Sequence, residues 1–265
     1  MTPWARQTVN ALLAAFISPR CAACDEPLHL PVEGPVCRTC WSGVTPPAPP
    51  LCRTCGDSLP SWGIIGTADA QCPACQRSAV AIDAALAAGV YDGSLRAILH
   101  AFKYDSRRSL ARPLALAMRQ AGGTVLEGAA CTVPVPLHAW RHVGRGFNQA
   151  SLLAAHLGLP VVHALWRVRA TPTQSALNAA GRQRNVRGAF RRSPFVGART
   201  YADLLGGRTV VLVDDVSTTG ATLDACARVL KEMGVSEVRA LTVAKAQAHG
   251  HQGRRTPQAS NGATA

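Results

Sequence analysis

Residues Val210–Leu223 read VVLVDDVSTTGATL. Val210 to Val213 is a fully apolar run, preceded by Gly206-Gly207 and closed by Asp214-Asp215. Such a run predicts a strand buried on both faces of a parallel sheet, ending at the two acids with its carboxyl end open to a ligand. The hydroxyl-rich turn Ser217-Thr218-Thr219-Gly220-Ala221-Thr222 comes next. Leu223, Cys226, Ala227 and Leu230 then fall at i, i+3, i+4 and i+7, one face of a helix. Gly234 marks its stop, and Val238 to Val243 returns as a strand. Strand, loop, helix and strand make a parallel crossover of ordinary length.

The loop has two chemical ends. A helix N-terminus offers free N–H groups and the positive end of the dipole, so it favours an anion. Thr218, Thr219 and Thr222 add hydroxyl donors, and Gly220 lets backbone approach closely. That end suits a phosphate monoester. Asp214 and Asp215 cannot hold phosphate, but they can accept hydrogen bonds from vicinal hydroxyls and hold Mg²⁺ through water. A phosphate end beside a ribose end fits a 5-phosphoribosyl group. A doubly wound domain whose strand merely ends in acids, as a Walker B strand does, is the competing reading. The chain contains no GK dipeptide to make the accompanying P-loop, and Gly144 and Gly146 lack the third glycine of GxGxxG. The thirteen positions Val210–Thr222, both acids included, resemble the phosphoribosyl diphosphate (PRPP) motif of type I phosphoribosyltransferases.

Eight of the ten cysteines form four CxxC pairs within the first 75 residues: Cys21/Cys24, Cys37/Cys40, Cys52/Cys55 and Cys72/Cys75. Twelve residues separate the pairs of the first quartet and sixteen those of the second. This is zinc ribbon spacing, with two knuckles supplying four thiolates to one tetrahedron. Two structural zinc ions are expected, in sequential quartets, although crossed pairing of the knuckles also satisfies the spacing. The segment is poor in large apolar residues, so metal would supply folding energy directly. A secreted disulfide framework and a redox CxxC are the alternatives. Ala11 to Ile17 is apolar, but no A-x-A cleavage site follows it, and no stretch is long and apolar enough to span a membrane. The expectation is a reduced, cytoplasmic compartment without membrane insertion. Cys131 and Cys226, each in an apolar pattern, read as buried fillers.

Charge is divided unevenly along the 265 residues. Residues 1–80 are neutral, with five Arg against five acids, so residues 81–265 carry the whole net +13. From Gly128 to Ala202 there is no acid and there are ten Arg. One-signed charge on one part of a chain implies an anionic partner, either nucleotide or nucleic acid.

The remaining elements follow from pattern. Val9, Leu12, Leu13, Phe16 and Ile17 predict an N-terminal helix packed on a ribbon or on the main domain. Pro46 to Pro50 reads as a stiff spacer between the quartets. Ala84 to Tyr91 reads as a strand. Leu95, Ile98, Leu99 and Phe102 then give a helix ending at Lys103-Tyr104, and Leu110, Leu114 and Met118 a second helix. Lys103, near a sheet edge, is placed either against a phosphate or in solvent. Ala129 to Val133 is a strand, followed by Pro134-Val135-Pro136, a basic loop, and a helix from Gln149 capped by Asn148. Pro134 and Pro136 remove N–H donors from any backbone cradle, which Arg141 and Arg145 can replace as bidentate phosphate ligands.

Pro134-Val135-Pro136-Leu137 followed by Arg145-Gly146-Phe147-Asn148-Gln149 resembles the ComF family, the ComFC and GntX group of competence-associated proteins. Phe102-Lys103-Tyr104 and the spaced set Thr171, Gln174, Leu177, Arg182, Asn185, Val186, Ala189 and Phe190 match as well, as do the ribbons. The resemblance spans about residues 10–245. It implies a type I phosphoribosyltransferase-like α/β fold, a parallel sheet flanked by helices, behind a small double zinc ribbon. It further implies handling of incoming single-stranded DNA in natural transformation, with DNA-uptake or DNA-processing partners. The small hood that recognises a base in such transferases is expected to be replaced by the ribbons, and the segment 166–199 to include the loop that closes over the reaction centre.

The expected organisation is an N-terminal helix (1–18), a double zinc ribbon (19–80), a phosphoribosyltransferase-like domain (81–245) and a disordered tail (246–265). The expected PRPP site is Asp214, Asp215, Ser217, Thr218, Thr219, Gly220, Ala221 and Thr222 with Lys103 and Arg145, and with Mg²⁺ accompanying the ligand. Asp214 and Asp215 are also the catalytic candidates, acting by positioning and charge stabilisation rather than as an acid–base dyad. Arg141, Arg167, Arg169, Arg182, Arg184 and Arg187 are the nucleic-acid candidates, with Trp166, Phe190 and Phe195 available to stack on bases. Two functions stand side by side: a protein that binds PRPP-like ligands and single-stranded DNA during DNA uptake, and an active transferase moving phosphoribose from PRPP to an acceptor in nucleotide metabolism.

Overall fold

The computed structural model describes residues 2–16, 18–60, 70–105, 107–137, 147–169 and 188–246; for residues 3 and 12–16 it describes the backbone alone. The expectations for Ile17, Arg141, Arg145, Arg182, Arg184, Arg187, the motif residues Thr171 to Val186, and the tail beyond 246 lie outside the described residues.

Helix α1 (Pro3–Phe16) leads into the ribbons. It meets the first ribbon through polar groups: Asn10 Oδ1 accepts from Val32 N at 3.0 Å, and Arg6 pairs with Glu33 at 3.4 Å. Val9, part of the expected apolar stripe, is exposed instead. Short helices α2 (Arg38–Ser42) and α3 (Pro73–Arg77) follow the third and the seventh of the knuckle cysteines. The two quartets are sequential, Cys21/Cys24/Cys37/Cys40 and Cys52/Cys55/Cys72/Cys75.

The larger part is a three-layer α/β unit. Its strands are β1 (Ala84–Val90), β2 (Cys131–Pro134), β3 (Leu165–Arg167), β4 (Phe190–Arg192), β5 (Thr209–Ser217) and β6 (Glu237–Lys245). Four of them make a parallel sheet in the order β1-β6-β5-β2, while β3 and β4 form a separate antiparallel pair. Side chains alternate along a strand, so a run apolar at every position needs cover on both faces. Val211, Val213, Leu241 and Val243 join one core, and Val210, Leu212, Val238 and Ala240 the other. The first core is closed by α4 (Gly93–Tyr104), α5 (Ala111–Ala121) and α7 (Gln149–Ala154); the short α6 (Gly123–Leu126) lies after α5. The second core is closed by α8 (Ala198–Leu204), α9 (Ala221–Glu232) and the β3–β4 pair. The expected helical faces are the buried ones: Leu95, Ile98, Leu99 and Phe102 on α4, Leu223, Cys226, Ala227 and Leu230 on α9. Cys131 and Cys226 are buried, as their apolar settings implied.

Strand ends differ from expectation, most notably at β5 and β2. Strand β5 does not end at the acids but continues to Ser217, because β6 pairs with it that far, Ser217 opposite Lys245. Strand β2 runs through Pro134 rather than stopping at Val133. Pro134 is tolerated because Val135 N, not position 134, donates to Val213 O at 2.9 Å. Asn148 caps α7 as expected, its Oδ1 accepting from Ala150 N at 3.0 Å.

Candidate functional site

Strand β5 delivers its carboxyl end beside α4. The buried face of α4 fixes its roll, and Lys103, next to buried Phe102 in the last turn, is thereby turned to β5. Lys103 Nζ lies 2.8 Å from Asp215 Oδ1, with both side chains largely shielded from solvent. Lys103 is not in solvent, as one of its two expected placements had it; it is the counter-ion of an acid. Burial lowers the affinity of this amine for its proton, but the carboxylates of Asp215 and Asp214 outweigh burial, and its pKa is raised.

Asp214 is the strained member. Burial, followed by the adjacent Asp215 charge, pushes its pKa up to about 7, and the Asp215 N–H, Lys103 and Arg167 only partly oppose this. Asp214 Oδ1 accepts from the Asp215 N–H at 2.8 Å, which fixes the carboxyl at the strand end. The site therefore presents one carboxylate paired with a lysine and one carboxyl whose ionisation is disfavoured by burial and by its neighbour's charge.

The loop after β5 is set by Gly220, whose φ of +74° is the left-handed conformation that side chains resist. Gly220 is also the cap of α9, and no side chain bonds across that cap. The first-turn N–H groups of α9 thus point out of the helix end toward the loop. Thr218 and Thr222 are partly exposed and Thr219 is exposed, whereas Ser217 is buried within the paired strand. Ala221 is buried as well, and contributes backbone only.

Of the nucleic-acid candidates within the described residues, Arg167 points inward. It stacks over the Phe190 ring at 5.3 Å and its charge is felt by Asp214. Phe190 is 4% exposed, so it is not available to stack on a base; it belongs to the second core, on the inner side of β4. Trp166 and Phe195 are exposed, on the outer side. Arg169 lies just beyond β3 and is exposed.

A cavity of about 1040 Å³ opens between β4, Tyr201 and α9, lined there by Ala221, Asp224, Arg228 and Glu232. It shares only Ala221 with the loop. Tyr201 is held by its hydroxyl, which donates to the Met233 carbonyl. Sequence reasoning missed this groove, because it depends on how α8 and β4 sit against α9.

Both cysteine quartets suit a tetrahedral cation. Within each, the sulfur atoms all lie within 4.8 Å of one another. Cys24–Cys37 and Cys55–Cys72 are 3.9 and 3.6 Å apart. Zn–S bonds of about 2.3 Å require tetrahedron edges of roughly 3.8 Å. Backbone N–H groups of Cys37 and Cys72 donate to Cys21 Sγ and Cys52 Sγ at 3.3 Å. At Cys21 burial disfavours the thiolate, but these N–H bonds outweigh it and the pKa falls to about 6. Cys21 is thus prepared as a thiolate ligand. Four thiolates close each site, the mark of structural zinc rather than catalysis.

The second ribbon reaches the carboxyl end of β6. Asp57 Oδ1 lies 3.2 Å from Lys245 Nζ at the end of β6, and Asp57 Oδ2 accepts from Cys55 Sγ at 3.4 Å. Lys245 is only 4% exposed.

Comparisons with known proteins agree with this architecture. A family described as "Phosphoribosyl transferase domain" matches residues 145–259, and one described as "Double zinc ribbon domain" matches residues 12–76. "Competence protein F" of Haemophilus influenzae is 32% identical over 241 residues, covering 87% of this chain and 99% of its own. "DNA utilization protein YhgH" of Escherichia coli is 35% identical over 162 residues, 56% of this chain and 66% of its own. Among solved structures, orotate phosphoribosyltransferase from Aeropyrum pernix aligns with a TM-score of 0.31 and 20% identity, over 57% of this chain and 76% of its own. Among the described residues, no helix is long and apolar enough to cross a membrane.

Proposed function

The chain belongs to the ComF family, and from that premise we propose that it binds a phosphoribosyl diphosphate with Mg²⁺ at the β5–α9 loop and handles single-stranded DNA during DNA uptake. The observation that carries the ligand reading is the end of β5: Asp214 and Asp215, then a left-handed Gly220, then an open helix start. The ribose hydroxyls and the cation go to the acids, and the 5-phosphate goes to the N–H and hydroxyl groups of Thr218–Thr222. When the cation or the hydroxyls reach Asp215, Lys103 is released from its ion pair and can turn to a phosphate. Arg145 joins the ligand in this reading. Arg141, Arg169, Arg182, Arg184 and Arg187 serve the DNA backbone, and DNA-processing proteins are the partners. Arg167, turned toward Asp214, serves the acids instead.

A second reading, turnover to a nucleotide product, is favoured by retention of both acids with a lysine counter-ion. Against it, the groove beside α9 meets the loop only at Ala221. Replacing Asp214 and Asp215 together with Asn separates the ligands. PRPP binding should be lost in the folded variant while oligonucleotide binding holds or improves. Loss of both would show that the two ligands share one site and would contradict the reading.

A further inference from the structure

Strand β3 has two unlike faces. Leu165 and Arg167 turn inward, and Trp166 between them turns outward, 49% exposed. Val168, two positions on and on the same side, is also exposed. Antiparallel register puts Arg191 of β4 directly across from Trp166. Phe195, beyond β4, is 80% exposed and meets Trp166 edge-on, with ring centroids 5.9 Å apart and an interplanar angle of 65°. An edge-to-face contact occupies one face of one ring and leaves the other faces for a flat ligand.

The charge around these rings has one sign. Arg191 is exposed on β4, Arg169 follows β3, and Arg199 lies on α8, whereas Arg192 is on the other face, over the Tyr201 ring at 5.3 Å. No acid occurs from Gly128 to Ala202. The acids across the neighbouring groove are Asp224, paired with Arg228 at 3.0 Å, and Glu232. An exposed aromatic pair ringed by guanidinium groups matches a single-stranded nucleic acid, in which π-faces and phosphates alternate.

We propose that the outer face of the β3–β4 pair is the docking platform for single-stranded DNA, with bases stacked on Trp166 and Phe195 and a phosphate held by Arg191. This rests on the reading that the chain handles single-stranded DNA, and gives that reading a place. The inner face of the same pair carries Arg167 toward Asp214, so DNA and a phosphoribosyl ligand occupy opposite sides of one hairpin and do not compete.

The test is fluorescence anisotropy of a labelled twenty-nucleotide oligothymidylate with the zinc-loaded full chain. Trp166→Ala and Phe195→Ala should each weaken binding about tenfold, and Trp166→Phe should restore most of it. Arg191→Ala should flatten the slope of log affinity against log salt by roughly 0.7, the amount for one lost phosphate contact. PRPP titrations should be unchanged in all four. Phe195 is so exposed that its variant will fold even if the Trp166 change disturbs the hairpin. Variants that bind the oligonucleotide as the parent does would overturn the platform and leave DNA handling standing. A parent that binds no oligonucleotide would bring down both. Binding to phosphatidylglycerol vesicles that is lost in Trp166→Ala, with oligonucleotide binding intact, would make this a membrane-facing surface instead.

Discussion

The two ribbons use the same knuckle chemistry and are held to the sheet in opposite ways. The first is continuous with the main core: Cys21, Leu28, Val36 and Cys40 lie in one apolar cluster with α4, α5 and the inner residues of β5 and β6. Among the described residues the second has Cys52, Leu59 and Cys72 as a separate small core. It reaches the sheet through backbone and charge, with Gly56 set against Ala85 and Asp57 paired with Lys245. A metal knuckle fixes its own loop, but what it does for the rest of the chain depends on its neighbours. The first ribbon is part of the domain's stability; the second is held by polar and backbone contacts to β1 and to Lys245 of β6.

The largest expected effect tests that contrast. Cys21→Ser should remove zinc from the first ribbon and lower the main unfolding transition by roughly 10 °C or more, since several kcal/mol of shared core go with it. Cys72→Ser should instead produce a separate early transition and leave the main one nearly in place. Calorimetric scans with zinc quantification distinguish these outcomes, and equal shifts would erase the contrast.

Next is pH. Asp214 keeps its proton to about pH 7, against 3.8 for the unpaired group. Between these values the folded chain binds more protons than the unfolded chain, so the contribution of Asp214 to stability is full below pH 3.8, is lost as pH rises toward 7, and is constant above. Asp214→Asn should therefore gain on the parent across that window, by about 2 kcal/mol at pH 8 in urea melts. Affinity for a Mg²⁺-bearing ligand should rise with pH through 7 in the parent. The same window in Lys103→Met should move upward, because a charge that lowers the Asp214 pKa has gone.

A smaller effect concerns the attachment of the second ribbon. At Gly56 φ is +71°, and an added Cβ would sit 2.7 Å from Ala85 O. Gly56→Ala should cost about 2 kcal/mol, read as faster hydrogen exchange confined to the second ribbon and β1. Asp57→Ala should cost about 1 kcal/mol, because Lys245 is left buried without its carboxylate while the exposed half of the pair was already screened. The smallest is Arg38→Ala. Its bidentate contact with Glu33 on the first ribbon is solvent-exposed, and no change in melting is expected.

The legible parts of this chain were those fixed by local pattern. The apolar run of β5, the face of α9, the cap at Asn148 and the cysteine spacing each state their own structure, because burial period, capping and tetrahedral ligation are written within a few residues. The reach of β5 to Ser217 was not legible, since it depends on how far β6 pairs with it. Lys103 could be placed near the sheet edge but not against Asp215, because that pairing joins a helix end to a strand 112 positions away in the chain. Phe190 and Phe195 looked alike in sequence. Phe190 is in the three-residue strand β4 with its side chain in the second core, whereas Phe195 lies three residues beyond that strand and is exposed.

The central claim is that the end of β5 and the start of α9 form a live phosphoribosyl site. Calorimetric titration of the zinc-loaded protein with PRPP, with and without Mg²⁺, tests it most directly. The account predicts saturable binding of one PRPP per chain at micromolar concentration, dependent on Mg²⁺ and stronger at pH 8 than at pH 6. Absence of binding at millimolar PRPP under all four conditions, with oligonucleotide still bound, would contradict it and leave the fold as a scaffold for DNA alone.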